Sequence, residues 1–240
     1  MNAMTNFPLH DRRPVSIRPV SKAGWHQMSG DRRCTHASAM ANYLYITRGV
    51  GADARGQIDY SHRDDLIAHG LELPANHPCW AEEPGRIWRE LDESTDHLAA
   101  DDVRAWHVVV TLPANEHPDT WIAMTHDYAL CSIAAHGPAV AWSIHARTHA
   151  GGQATVTPHA HLLVTTRVWR HEARQGQTVP GWCGPAARAR LHANWLAKLP
   201  QSMRAAAVSP YSAGQYVPAR LDFSALGRLI AAHTSKIEPS

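Results

Sequence analysis

Pro158-His159-Ala160-His161-Leu162-Leu163-Val164 is the stretch on which the fold and its chemistry turn. Side chains alternate along a β-strand, so His159 and His161 project from one face while Ala160, Leu162 and Val164 point into the core. Upstream, Ala139-Val140-Ala141-Trp142-Ser143-Ile144-His145-Ala146 also reads as a strand. A glycine-containing loop between them, residues 148–158, folds the two back as a hairpin. Ser143 and His145 then share a face, with Trp142 and Ile144 opposite. Two imidazoles on neighbouring same-face positions can hold one divalent cation, and a third ligand completes such a site. His145 is the preferred third ligand because it lies on a strand; His149, in the loop, is the alternative. The HxH pair is weak evidence alone, because the chain carries 18 histidines in 240 residues.

Outward from the hairpin, residues 106–112 (WHVVVTL) are rich in β-branched side chains and read as a central strand. Residues 15–20 fit a short edge strand, where Pro19 is tolerated, and residues 67–73 a further strand-like segment stopped by Pro74. Thr35 or Ser38 can cap a helix over residues 37–48 that Gly49 and Gly51 end. Residues 49–60 read as turn and hairpin. Further helices are predicted at 80–94, at 119–136 before Gly137, and at 185–199, with a last short one near 224–233. This order predicts an α+β fold: a mostly antiparallel central sheet with helices packed on it, on one side. The expected organisation is a flexible N-terminal arm at 1–14, a main domain at 15–169, and a helical extension of the same domain at 170–240.

Composition narrows the class. Hydrophobic residues make up 44% of the chain, enough for a substantial core. No run of about 18 apolar residues occurs, so no spanning helix is expected. The first residues lack the apolar core of a signal peptide, and a cytoplasmic location is the expectation. Cys34, Cys79, Cys131 and Cys183 are widely separated, which argues against a disulfide framework or a zinc finger. HExxH, GxSxG and P-loop motifs are absent, which disfavours the hydrolase and nucleotidase classes they mark. Net charge is only +2, but residues 12–48 carry Arg12, Arg13, Arg18, Lys22, Arg32, Arg33 and Arg48 against Asp31 alone. Such a run suits phosphates.

The helix at 37–48 carries two tyrosines, Tyr43 and Tyr45. Residues two apart on a helix point about 200° apart, so at most one faces a shared site. Arg48, three residues after Tyr45, lies within side-chain reach of it, and a nearby cation favours the phenolate and neutralises phosphate. This favours Tyr45 as a nucleophile, with Tyr43 suited to packing.

Together these pieces resemble the MobA/MobL family of plasmid mobilisation relaxases, a branch of the HUH endonucleases. Ala41-Asn42-Tyr43-Leu44-Tyr45-Ile46-Thr47-Arg48-Gly49 is similar to the family's tyrosine helix. The block from Gly56 to Trp80 (GQIDYSHRDDLIAHGLELPANHPCW) resembles its Asp-Tyr, His-Gly and Leu-Pro…Pro-x-Trp pattern. Ile87-Trp88 with Glu93, Thr111-Leu112-Pro113, Ser143-Ile144-His145, Pro158-His159-Ala160-His161 and Thr165-Thr166-Arg167 follow in the family's order. The likeness runs over about residues 15–169. It departs at His107 and Val109, which stand where the family's strand carries two glutamates, and no helicase or primase extension is expected within residues 170–240.

The resemblance implies a site- and strand-specific nickase acting on single-stranded DNA at a transfer-origin-like site, with accessory mobilisation proteins as partners and no membrane. It implies Tyr45 and Arg48 as catalytic residues, and His145, His159 and His161 as ligands of a manganese, magnesium or zinc ion. Arg12, Arg13, Arg32, Arg33 and Arg167 are the candidate DNA contacts, and Trp25 and Trp169 candidate base-stacking residues. The alternatives are a non-catalytic single-stranded DNA-binding module on the same fold and a rolling-circle replication initiator.

Overall fold

The computed structural model of the chain describes residues 14–23, 36–148, 154–170 and 176–199. The expectations for residues 1–13, Arg12, Arg13, Trp25, Arg32, Arg33, Cys34, His149 and a helix at 224–233 lie outside these residues. The chain divides into two units, Met1–Pro200 and Gln201–Ser240, and all the elements below belong to the first.

Five strands form one antiparallel sheet: β1 (Val15–Val20), β4 (Leu66–Glu72), β5 (Ala105–Thr111), β6 (Val140–Thr148) and β7 (Ala154–Thr165), in the order β1-β5-β7-β6-β4. β1 is at the edge, where Pro19 costs no central ladder bond. Two further hairpins flank the sheet, β2 (Val50–Asp53) with β3 (Gly56–Asp59), and β8 (Arg167–Val168) with β9 (Gln177–Thr178). The four helices are α1 (Ala39–Thr47), α2 (Arg86–Ser94), α3 (Pro118–Ser132) and α4 (Pro185–Lys198).

Register sorts the side chains into two faces. Val109 lies opposite His161, Thr111 opposite His159, Ser143 opposite His161 and His145 opposite His159. On this face Leu163, Ala141, Ala105 and Val20 pack in one core with Leu44 and Ile46 of α1 and Ile87, Trp88 and Leu91 of α2. The other face carries Trp106, Val108, Val110, Ile144, Leu162 and Val164, all buried. Helix α3 lies on that side: His126 pairs with Glu72 of β4 at 3.5 Å, and Tyr128 donates to the Leu191 carbonyl of α4 at 2.8 Å. Helices therefore cover both faces, not one, because this sheet has apolar residues at both alternating sets of positions in β5, β6 and β7. On the α3 side Trp142 lies across Gly70, where an added Cβ would sit 2.6 Å from the indole. β4 and β6 can pair beneath that ring only with glycine there.

Two helices are shorter than their patterns suggest. The stretch 80–94 is a 3-10 turn at Cys79–Glu82 followed by α2. Pro84 breaks the ladder and Gly85 enters α2 with φ 74°, a left-handed value that favours glycine. The stretch 119–136 is α3 followed by a 3-10 turn at Ala134–His136. Conversely, β7 begins at Ala154, so strand replaces part of the loop expected at 148–158. The three described cysteines, Cys79, Cys131 and Cys183, are free thiols. Among the described residues no helix is long and apolar enough to cross a membrane.

Candidate functional site

The helix that brings a phenol to the sheet is specified locally. Ser38 accepts from the Ala41 amide at the N-cap, and the Asp92 carboxylate of α2 accepts from the amides of Ala39 and Met40 at 2.8 and 2.9 Å. At the other end Arg48 takes the left-handed conformation, φ 55°, and returns its amide to Leu44. Between these stops the two tyrosines diverge. Tyr43 stacks on Trp88 of α2, with 6.1 Å between ring centroids, and burial raises its hydroxyl pKa. Tyr45 faces the sheet: its ring centroid is 5.6 Å from that of His161, 6.2 Å from His107 and 5.4 Å from Tyr60.

His145, His159 and His161 converge on that same side, each offering a nitrogen within 4.8 Å of the others. The Nε2 atoms of His159 and His161 are 3.1 Å apart. His159 Nδ1 donates to the Thr157 carbonyl at 2.7 Å, which leaves its Nε2 lone pair turned toward His161. At a usual metal–nitrogen distance of about 2.1 Å, nitrogens with this 3.1 Å spacing subtend about 95° at a shared cation, within the range between octahedral and tetrahedral sites. The pair thus fits a divalent ion. His145 is engaged differently: its Nε2 donates to the Ile46 carbonyl at 2.7 Å and its Nδ1 accepts from Arg48 at 2.9 Å. Its ring centroid is nonetheless 4.7 Å from that of His161, which keeps it beside the pair.

His107, His145 and His161 are held neutral, the state in which an imidazole can ligate. Burial pushes His107 down to about 3, with Arg18 adding to the effect. Burial and then the Arg48 charge bring His145 to about 3. Burial, followed by the neighbouring histidines, holds His161 well below the ordinary range. Arg48 is buried with a bidentate pair to Asp65, both contacts 2.7 Å, and a third bond to the Tyr45 carbonyl at 2.8 Å. Its guanidinium carbon is 4.9 Å from the Tyr45 ring centroid, and that of Arg63 is 5.5 Å from it on an open cleft lined by His62, Arg63, Asp64, Asp65, Arg147 and Val156.

A model of the MobA/MobL family matches residues 36–182. The chain belongs to this family. The match spans the tyrosine helix, the Asp-Tyr to Pro-x-Trp block and the histidine hairpin in one continuous stretch. A solved structure, described as the molecular basis of vancomycin resistance transfer in Staphylococcus aureus, has a similar fold with a TM-score of 0.57. It is 19% identical, and the alignment covers 77% of this chain and 88% of that one. Among curated proteins none matches the chain.

Set against the sequence-based expectations, Tyr45, Arg48, His145, His159 and His161 of this MobA/MobL chain come together, and Tyr43 does not join them. Arg167 is elsewhere: it lies beyond the end of β7 and binds Thr178 Oγ1 and the Gly176 carbonyl, closing the β8–β9 hairpin. Trp169, a candidate for stacking on bases, is 2% exposed and packs edge-on against Trp80. Several neighbours went unread in the sequence. Asp65 sits just before β4, whose first residue Leu66 pairs with His145. Tyr60 donates to or accepts from His36 Nε2 at 3.0 Å beside Tyr45. Asn42, three residues before Tyr45 on α1, reaches His107. An i, i+3 pattern of polar residues on an otherwise apolar helix was the available signal for Asn42.

Proposed function

We propose that this MobA/MobL chain is a cytoplasmic relaxase that nicks one strand of DNA at a transfer-origin-like site, with Tyr45 as nucleophile, and that it acts with accessory mobilisation proteins. The observation that carries the reading is the approach of the Tyr45 ring to within 5.6 Å of His161 beside the three-histidine cluster. In the reaction the Tyr45 hydroxyl loses its proton and its oxygen bonds to phosphorus. The bond from phosphorus to the 3′ oxygen breaks, and that oxygen takes up a proton as a free 3′-hydroxyl. One phosphoester replaces another, so the 5′-phosphotyrosine can be attacked in reverse to rejoin the strand. His145, His159 and His161 would hold a manganese, magnesium or zinc ion, which when bound polarises a phosphate and stabilises charge developing on it. Arg63 faces the open cleft and supplies a cation for the phosphate backbone, with the Tyr45 and Tyr60 rings beside it.

The test is covalent capture of a labelled single-stranded oligonucleotide library in manganese, read on denaturing gels. Tyr45→Phe is expected to abolish the protein–DNA adduct, while Tyr43→Phe retains it. Adduct formation by Tyr45→Phe that is lost in Tyr43→Phe moves the nucleophile. A second reading, a DNA-binding module without cleavage, draws on Val109: it lies opposite His161, where the family resemblance leads one to expect an acid. Retarded mobility of the oligonucleotide with no adduct from the unmodified chain supports that reading.

A further inference from the structure

The second departure from the family pattern, His107, is wired into the site through a directional chain of hydrogen bonds. Asn42 begins it. Its side-chain Nδ2 donates to the carbonyls of His36 at 2.8 Å and Ser38 at 2.7 Å, which uses both amide hydrogens. Turning the amide over would set its oxygen against two carbonyls, so the orientation is determined. The Asn42 oxygen is left 3.2 Å from His107 Nδ1. An amide oxygen only accepts, so His107 carries its hydrogen on Nδ1. A neutral imidazole has one N–H, so His107 Nε2 offers a lone pair. That atom is 2.8 Å from His161 Nδ1, which must therefore donate. The His161 lone pair is then on Nε2, the atom 3.1 Å from His159 Nε2. All three members are buried: Asn42 at 0% exposure, His107 at 6% and His161 at 5%. Water has little access with which to offer another pattern.

We propose that Asn42 and His107 are positioning residues that hold His161 as its Nδ1–H tautomer, so that His161 Nε2 is the nitrogen presented to a divalent cation beside His159. This rests on the reading of His161 as a metal ligand given above. A histidine that ligates through one nitrogen is ordinarily oriented by an acceptor on the other, most often a carboxylate or a carbonyl. A glutamate at position 107 would accept from His161 without further help. A histidine there also has a hydrogen to place, and Asn42 supplies the acceptor. The two residues together do the work of one carboxylate.

The experiment has two readouts on the whole chain. Long-range proton–nitrogen spectra of the metal-free protein, with the His161 signal assigned by its loss in His161→Gln, report which ring nitrogen is protonated. Calorimetry with zinc alone reports affinity. The unmodified chain is expected to show an Nδ1–H His161. His107→Leu is expected to lose that preference and to bind zinc about 10- to 100-fold more weakly. His107→Gln, whose amide can donate to Asn42 and accept from His161, is expected to keep both within about threefold of the unmodified chain, on the same donor and acceptor count. An Nε2–H His161 in the unmodified chain overturns the proposal, and so does an undiminished Nδ1–H signal in His107→Leu. The first of these needs no variant to fold. Unchanged zinc affinity in His161→Ala instead removes the metal reading, and the spectra still decide the tautomer.

Discussion

Arg48 joins three parts of the molecule through one planar side chain. Its fork meets both Asp65 oxygens, the Tyr45 carbonyl at the end of α1, and His145 Nδ1 on β6. Burial alone would push the Asp65 carboxyl up, but the hydrogen bonds and charge of Arg48 outweigh it and hold that carboxyl below its ordinary range. A lysine cannot reproduce this, because an ammonium is a point charge and not a fork. Arg48→Ala leaves a mostly buried carboxylate and a buried imidazole acceptor without their donor, and is expected to cost about 3–5 kcal/mol of stability. Arg48→Lys should recover part of that loss. Urea unfolding of the three proteins measures it, and an Arg48→Ala chain as stable as its parent would show that the fork holds nothing together.

At the scale of elements, α1 is placed by α2. Asp92 of α2 caps the first amides of α1 and also lies 3.5 Å from the buried guanidinium of Arg104. Asp92→Ala removes the cap and the nearer carboxylate of Arg104, which keeps Asp96 at 3.9 Å and the Thr95 carbonyl at 3.3 Å, so a loss of about 2–3 kcal/mol is expected, read as a lower unfolding midpoint. Because α1 carries Tyr45, adduct formation should fall as well, whereas Glu93→Ala, at an exposed position next in sequence, should change neither. Elements of this kind were legible to different degrees. β1 has the expected bounds and α1 starts after its Ser38 cap, but its left-handed stop is Arg48 and not the expected Gly49 or Gly51. The break between the turn at Cys79–Glu82 and α2 was overlooked, since apolar spacing carries across Pro84 and Gly85 unless their backbone limits are weighed first. Period-two alternation sufficed to set His159 and His161 on one face. The contacts of Asp65, Asn42 and His107 were out of reach, although the spacing of Asn42 and the family position of His107 marked the residues themselves, because their partners are 17 to 65 residues away and only the fold brings them together.

For the whole molecule, the buried histidines set a dependence of stability on pH. His107 and His145 are held at about 3 and His161 well below its ordinary value, all chiefly by burial. In the unfolded chain each returns to about 6.5. Above that pH the groups are neutral in both states and contribute no slope. Below it the unfolded chain binds protons that the folded site refuses, so folding loses up to about 1.4 kcal/mol per pH unit for each histidine as pH falls from about 6.5 toward 3. Asp65, held low by Arg48, adds a loss of the same sign at still lower pH. His77, raised by its hydrogen bond to Glu82, has the opposite sign, but its partner is exposed and the pair is screened. Urea midpoints are therefore expected to be level from pH 8 to 7 and to fall with increasing steepness between pH 6.5 and 4.5. His107→Gln removes one such group and should flatten the fall by about one proton's worth, roughly 1.4 kcal/mol per pH unit. Added zinc should raise the midpoint at pH 7.5, and the gain should shrink at pH 5, where protons compete with the ion for imidazole. A midpoint that stays constant from pH 7.5 to 4.5 would mean that these imidazoles charge freely in the folded chain, which their closure between α1 and the sheet does not allow.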